Sequence, residues 1–168
     1  VICKKLHLSK SDHVIEIGSG WGDFAIYAAK NYGCKVTTTT ISIEQYNYTK
    51  NKIKAMGLSK QIKVLLKDYR LLNGKYDKLV SIEMIEAVGH QFYDEYFKVI
   101  SRLLKKEGDA LIQAITIKDQ RYSHSIKSVD FIQKYIFPGS CIPSLTAIQN
   151  SLTNSTDLVI NEIRDIGC

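Results

Sequence analysis

The apolar residues of this chain keep changing their period. Short runs that alternate or are continuously apolar give way to stretches with an apolar residue every three or four positions, and the exchange repeats along the sequence. Period two belongs to strands and period 3.6 to helices, so the repetition spells βα units, which build a parallel sheet with helices on both faces. Strands are expected at residues 13–17, 35–39, 62–66, 78–82, 110–115 and 158–163, and helices at 23–32, 43–56, 93–104, 129–135 and 145–151. Gly57 stands where a helix needs a left-handed residue past its end, and Ser144 after Pro143 is an expected N-cap. In open sheets of this kind ligands bind beyond the carboxyl ends of the strands. The residues that follow each strand are therefore the first candidates for function.

A length of 168 residues fits one domain with a real core, expected to span 1–168, and 45% hydrophobic with 24% charged residues excludes a disordered chain. No apolar run approaches the roughly 18 residues that cross a membrane. The opening "VICKKLHLSKSDH" has no signal-peptide core, and the start at Val with a strand-like end, "DLVINEIRDIGC", leads us to expect a piece of a longer chain. Cys3, Cys34, Cys141 and Cys168 are scattered with no metal-ligand spacing, so no zinc site or disulfide framework is expected and a reducing cytoplasm fits. The net charge of +6 favours anionic partners, phospholipid or nucleic acid, although a lysine-rich surface that only meets solvent carries the same signature.

After the first strand comes "EIGSGWGDF", in which Gly18, Gly20 and Gly22 lead straight into a helix. Glycines there permit a tight turn and let a ligand approach the backbone. A dinucleotide site needs G-x-G-x-x-G and an acid about 20 residues on. Here the third glycine comes one residue early and the second strand ends in "TTTTIS" with no acid; no GK[ST] follows that would make a P-loop. In "TISIEQ", Ser42 and Gln45 match a capping box. The fourth strand runs out into "SIEMIEAVGH", which places Glu83 and Glu86 where chemistry or simple helix-start polarity is equally at home.

The E-x-G-x-G-x-G turn resembles motif I of the S-adenosylmethionine-dependent methyltransferases, and "TISIEQ" resembles the T-hydrophobe-S-x-x-Q signature of one branch, the cyclopropane fatty acid synthases. The segments "VIEIGSGWGDFAIYAAKNYGCKVTTTTISIEQ", "KDYRLLNGKYDKLVSIEMIEAVGH", "ALIQAITI" and "VDFIQKYIFPGSCIPS" are similar to that family in order and spacing. The resemblance implies a Rossmann-like class I methyltransferase fold, truncated at both ends. It also implies transfer of a methylene carbon from S-adenosylmethionine to the double bond of an unsaturated phospholipid acyl chain, forming a cyclopropane.

Carried over by position, Gly18 and Gly20 lie against the cofactor's amino acid part, and Thr40, Ile41 and Gln45 hold the adenosyl part while Ser42 caps. Asp68, Tyr69 and Ile82 line the adenine and ribose pocket. Glu86 matches the active-site carboxylate that helps hold a bicarbonate ion, with Gln113 and the backbone of Ile115 beside it in the family pattern. Gln113 departs from that pattern, which often has a histidine there, and an amide cannot carry its charge. Glu83 is expected to face solvent or cap a turn, and His90 and His124 to be surface or helix-start residues. The partners implied are unsaturated acyl chains and, peripherally, an anionic membrane surface on the cytoplasmic side, with no nucleic acid and no metal. A homodimer stays open, as do two alternatives: another S-adenosylmethionine-dependent C- or N-methyltransferase, and a non-catalytic binding module on the same fold.

Overall fold

The computed structural model describes residues 1–127 and 139–167, and these divide into two compact units. The first comprises Val1–Met84 with Arg102–Ala114, and the second Ile85–Ser101 with Ile115–Cys168.

The first unit is built on a five-stranded, wholly parallel sheet. After a short helix α1 (Ile2–Lys5) come β1 (His13–Ile17), α2 (Asp23–Tyr32), β2 (Lys35–Thr40), α3 (Ile43–Ala55), β3 (Ile62–Leu66), β4 (Tyr76–Ile82) and β5 (Leu104–Gln113), in spatial order β3-β2-β1-β4-β5. A central parallel strand is covered on both faces, and Val14, Ile15 and Ile17 of β1 and Leu79 and Val80 of β4 are accordingly buried. Trimming Ile15 to Ala is expected to cost about 2–5 kcal/mol, the range for large-to-small changes in a packed core. Helices α2 and α3 pack on β2 and β3. Ala25, Ile26, Ala28 and Ala29 face inward from α2 and Ile53 from α3, joining one core cluster with Cys3, Cys34, Val36 and Ile62.

β2 reads KVTTTT, and Thr37 to Thr40 are all buried. Threonine suits a pleated strand by its branching, but each buried hydroxyl must find a partner to offset its lost water. The Thr37 hydroxyl lies 2.9 Å from His13 Nε2, and Thr39 donates to the Lys67 carbonyl at 2.5 Å.

β5 begins at Leu104, six residues before the expected start, and it ends at Gln113 rather than Ile115. Its first half is charged and shows no strand period. It is tied down by ion pairs instead: Lys105 to Asp77 at 2.7 Å, and Lys78 to Asp109.

In the second unit α4 (Tyr93–Leu103) begins, and α5 (Asp119–Ser125) and α6 (Leu145–Ser155) follow. The α4 residues Tyr93, Tyr96, Phe97, Ile100 and Leu103 form a buried stripe at helical spacing. Ser144 caps α6 as expected, accepting the Ala147 N–H at 3.2 Å. The strand expected at 158–163 is not formed: no strand is assigned there, and Val159 and Ile163 are exposed. The helix expected at 129–135 lies outside the described residues.

Candidate active site

The register of the sheet gathers the expected cofactor residues of the first unit at one edge. Ile17 pairs with Thr39 and Ser81, Thr40 with Leu66, and Ile82 with Gln113. Gly18, Thr40, Asp68, Ile82 and Gln113 therefore close or follow their strands at the same, carboxyl, end, and Gly20, Ile41, Gln45 and Tyr69 come within a few residues of them.

The glycine turn folds back on β2, because the N–H groups of Gly18 and Ser19 both donate to the Thr39 carbonyl, at 3.1 and 2.8 Å. Gly20 has φ 48°, and a Cβ placed on it would meet nothing within 4 Å. That open, left-handed position is a cradle that a side chain would fill. Gly22, the N-cap of α2, has φ 83°, and a Cβ there would come 2.6 Å from Thr49 Cγ2, so it is needed for close packing instead.

At the end of β2 one threonine organises the turn. The Thr40 hydroxyl accepts the Ser42 N–H at 3.1 Å and donates to Gln45 Oε1 at 2.8 Å, while Ser42 Oγ accepts the Gln45 N–H at 3.2 Å. Ser42 does cap α3. Gln45, however, reaches past Ser42 to Thr40, so this is not the reciprocal capping box. Ile41, between them, is 79% exposed. A bare isoleucine at the carboxyl end of a buried strand costs apolar surface in water and offers a platform for a flat, apolar ligand face.

Asp68 opens a short 3-10 turn, Tyr69–Leu71. Its Oδ1 accepts the Arg70 N–H at 2.9 Å and its Oδ2 pairs with Arg70 Nη2 at 2.6 Å, and these bonds hold the carboxyl below its ordinary range. Tyr69 and Ile82 are half-buried, Ile82 against the core cluster.

Glu16, the acid that opens the E-x-G-x-G-x-G turn, was not among the expected site residues, although the motif itself contains the signal. It is 2% exposed on the central strand, and its Oε2 is buried with no partner among the described residues. Desolvation pushes its carboxyl up to about 8, helped by the negative charge of Asp23 and opposed by the Thr38 hydroxyl. A buried acceptor without a donor is expensive and marks a place that a ligand, an ion or water completes.

The two acids after β4 part company. Glu83 has φ 49°, is exposed, and is held by Gln113: its N–H donates to the Gln113 carbonyl at 2.8 Å and its Oε1 accepts from Gln113 Nε2 at 3.0 Å. It faces solvent as expected but caps no turn.

Glu86 belongs to the second unit. Its Oε1 accepts the Ile115 N–H at 2.5 Å, its carbonyl accepts the Cys141 N–H at 2.8 Å, and its Oε2 is buried with no partner among the described residues. Tyr93 closes the group by donating to the Cys141 carbonyl at 2.7 Å, and burial raises its phenol far above the ordinary value. His90 is exposed in a short 3-10 turn, and His124 lies in the last turn of α5.

The chain has known relatives. The family model described as mycolic acid cyclopropane synthetase matches residues 1–167. The cyclopropane-fatty-acyl-phospholipid synthase of Escherichia coli K12 is 40% identical over 151 residues, covering 90% of this chain and 37% of the relative. The tuberculostearic acid methyltransferase UfaA1 of Mycobacterium tuberculosis is 39% identical over 153 residues, 91% of this chain and 36% of the relative. The chain thus spans a little over a third of the length of these curated relatives. Among solved structures, the mycolic acid cyclopropane synthase CmaA1, complexed with SAH and CTAB, superimposes with a TM-score of 0.84 at 26% identity, over 95% of this chain and 59% of that one. The parallel sheet is that of the Rossmann-like class I methyltransferase fold. With the expected glycine turn, strand order and family model in agreement, the chain belongs to the mycolic acid cyclopropane synthetase family.

Proposed function

We propose that this protein transfers a methylene carbon from S-adenosylmethionine to the double bond of an unsaturated phospholipid acyl chain and closes a cyclopropane ring. The observation that carries the reading is the cradle at Gly20, open and left-handed, at the same sheet edge as the Thr40–Gln45 hydrogen bond and the bare Ile41. Gly18 and Gly20 would take the amino acid part of the cofactor, Thr40, Ile41 and Gln45 the adenosyl part, and Asp68, Tyr69 and Ile82 the remaining wall. The bound cofactor supplies an electrophilic methyl group. The chain's own work is to orient the reactants and to place negative charge near the positive charge that develops on the acyl chain.

Glu86 fits that second task and the holding of bicarbonate. Its Oε2 is buried without a donor among the described residues, so it is ready to accept an O–H from the ion, while Ile115 offers a backbone N–H that Glu86 itself now occupies. A carboxylate in that position turns the ion's basic oxygens toward the proton to be removed. Gln113, in the first unit, spends its amide on Glu83.

That same bond favours a second reading, in which the product is a methyl-branched chain. With a neutral glutamine engaged elsewhere, proton removal from the transferred methyl has less help, and the cation instead loses a proton from a neighbouring carbon of the acyl chain to leave a methyl-branched alkene; one relative is named a tuberculostearic acid methyltransferase. Mass spectrometry together with proton NMR of lipids from cells expressing the intact protein separates the two, since the products are isomers of equal mass that differ in carrying a cyclopropane ring or a branch methyl beside a double bond. Unchanged lipids together with no binding of labelled S-adenosylmethionine would leave a non-catalytic module. The net charge of +6 supports a peripheral anionic membrane surface as the place of work, and among the described residues no helix is long and apolar enough to cross a membrane.

A further inference from the structure

Helix α3 touches the glycine turn as well as the end of β2. Gln45, Tyr48, Thr49 and Lys52 recur at helical spacing and so share one side of α3. Gln45 bonds Thr40. One and two turns further on, the same side meets the turn: buried Thr49 lies against Gly22, where a Cβ would come within 2.6 Å of its methyl. The Tyr48 ring meets the Trp21 ring edge to face, with centroids 5.2 Å apart and planes at 83°. Lys52 Nζ lies 5.5 Å from the centre of the Tyr48 ring and 2.6 Å from Oδ1 of Asp23, the first residue of α2. Trp21 and Tyr48 are each 51% exposed, so solvent-driven burial alone does not explain why the rings meet. The three contacts fall on Trp21, Gly22 and Asp23, the residues that directly follow the Gly20 cradle.

We propose that Trp21, Tyr48 and Lys52 are positioning residues that clamp the glycine turn to α3, so that a single helix sets the spacing between the two halves of the cofactor site. The inference rests on the S-adenosylmethionine reading above. The turn would hold the amino acid part and the Thr40–Gln45 pair the adenosyl part, so loosening the clamp frees the first and leaves the second in place. A purely structural role for the ring cluster would weaken both halves alike or neither.

The test measures affinity of the intact protein for two ligands: S-adenosylhomocysteine, which carries the amino acid part, and 5′-methylthioadenosine, which lacks it. Tyr48→Ala and Trp21→Ala are expected to weaken S-adenosylhomocysteine by about three- to tenfold, the scale of one aromatic pair, and to leave methylthioadenosine unchanged. Lys52→Met should act in the same direction, and Tyr48→Phe, which keeps the ring, should bind as the parent does. Equal losses for both ligands, no loss for S-adenosylhomocysteine, or a Tyr48→Phe as weak as Tyr48→Ala would overturn the clamp. If the parent itself binds neither ligand, the cofactor reading falls and takes the clamp with it; a parent that binds with variants that do not differ rejects the clamp alone.

Discussion

Gln113 grips Glu83 twice, with its backbone carbonyl on the Glu83 N–H at 2.8 Å and its side-chain amide on Glu83 Oε1 at 3.0 Å. The grip holds a non-glycine residue at φ 49°, a conformation that costs an L-residue about 1–2 kcal/mol. Glu83 is thereby a structural acid at the end of β4. Glu86, three residues later, keeps one oxygen buried and without a partner among the described residues, and it is the acid we assign to chemistry.

Gly20→Val is expected to abolish binding of S-adenosylmethionine while far-ultraviolet circular dichroism stays that of the parent. The side chain would fill the open cradle, and a β-branched residue resists φ 48°. Calorimetry that returns the parent's affinity would remove the glycine turn from the cofactor site.

Glu16 gives stability a pH dependence whose sign follows from its burial. Its folded-state carboxyl is raised to about 8, above the ordinary value of 4.5, so between those limits the unfolded chain loses its proton first. The neutral acid's contribution is complete below about pH 4.5 and is lost as pH rises to about 8, a fall on the order of a few kcal/mol. Glu16→Gln stays neutral throughout. Denaturant melts of the parent should weaken from pH 5 to pH 8 while those of Glu16→Gln stay level by comparison; parallel pH profiles would show that Glu16 is not buried as a neutral acid.

Much of this was legible in the order of residues, and what was hidden has identifiable causes. β1, β3 and α2 show their periods without interference, and "EIGSGWGDF" announces its turn by glycine spacing. The first half of β5 was hidden because Lys105 and Asp109 earn their places through ion pairs across the sheet, which no periodicity records. The segment 158–163 has a strand's composition, but a strand also needs a neighbour to bond, and it has none among the described residues. The left-handed Glu83, held by Gln113, and the Trp21–Tyr48 contact depend on residues distant in sequence, and the reach of Gln45 to Thr40, though local, is a choice of side-chain partner that the capping-box spacing does not show. Glu16 was visible as a letter of the motif, but its isolation in the core was not.

Membrane attachment is expected to be electrostatic. The intact protein should bind vesicles containing anionic phospholipid at low salt and leave them as salt rises, because exposed charges are screened over about 8 Å at physiological ionic strength. Co-sedimentation that is equal for neutral and anionic vesicles at every salt concentration would reject the charged surface as the anchor.

The central assignment is tested most directly by the amount of modified lipid formed per folded enzyme in Glu86→Gln, Glu83→Gln and the parent. The Glu86 amide can still accept the Ile115 N–H, so the local fold should survive, but the negative charge is gone and the free acceptor at Oε2 can become a donor. Turnover should fall by about 100-fold or more, the scale of a lost general-base or electrostatic contribution, with affinity for S-adenosylmethionine little changed. Glu83→Gln keeps a hydrogen-bonding side chain beside Gln113 and should retain most of the parent's activity. A Glu86→Gln enzyme as active as the parent, or a Glu83→Gln enzyme more damaged than it, would contradict the account.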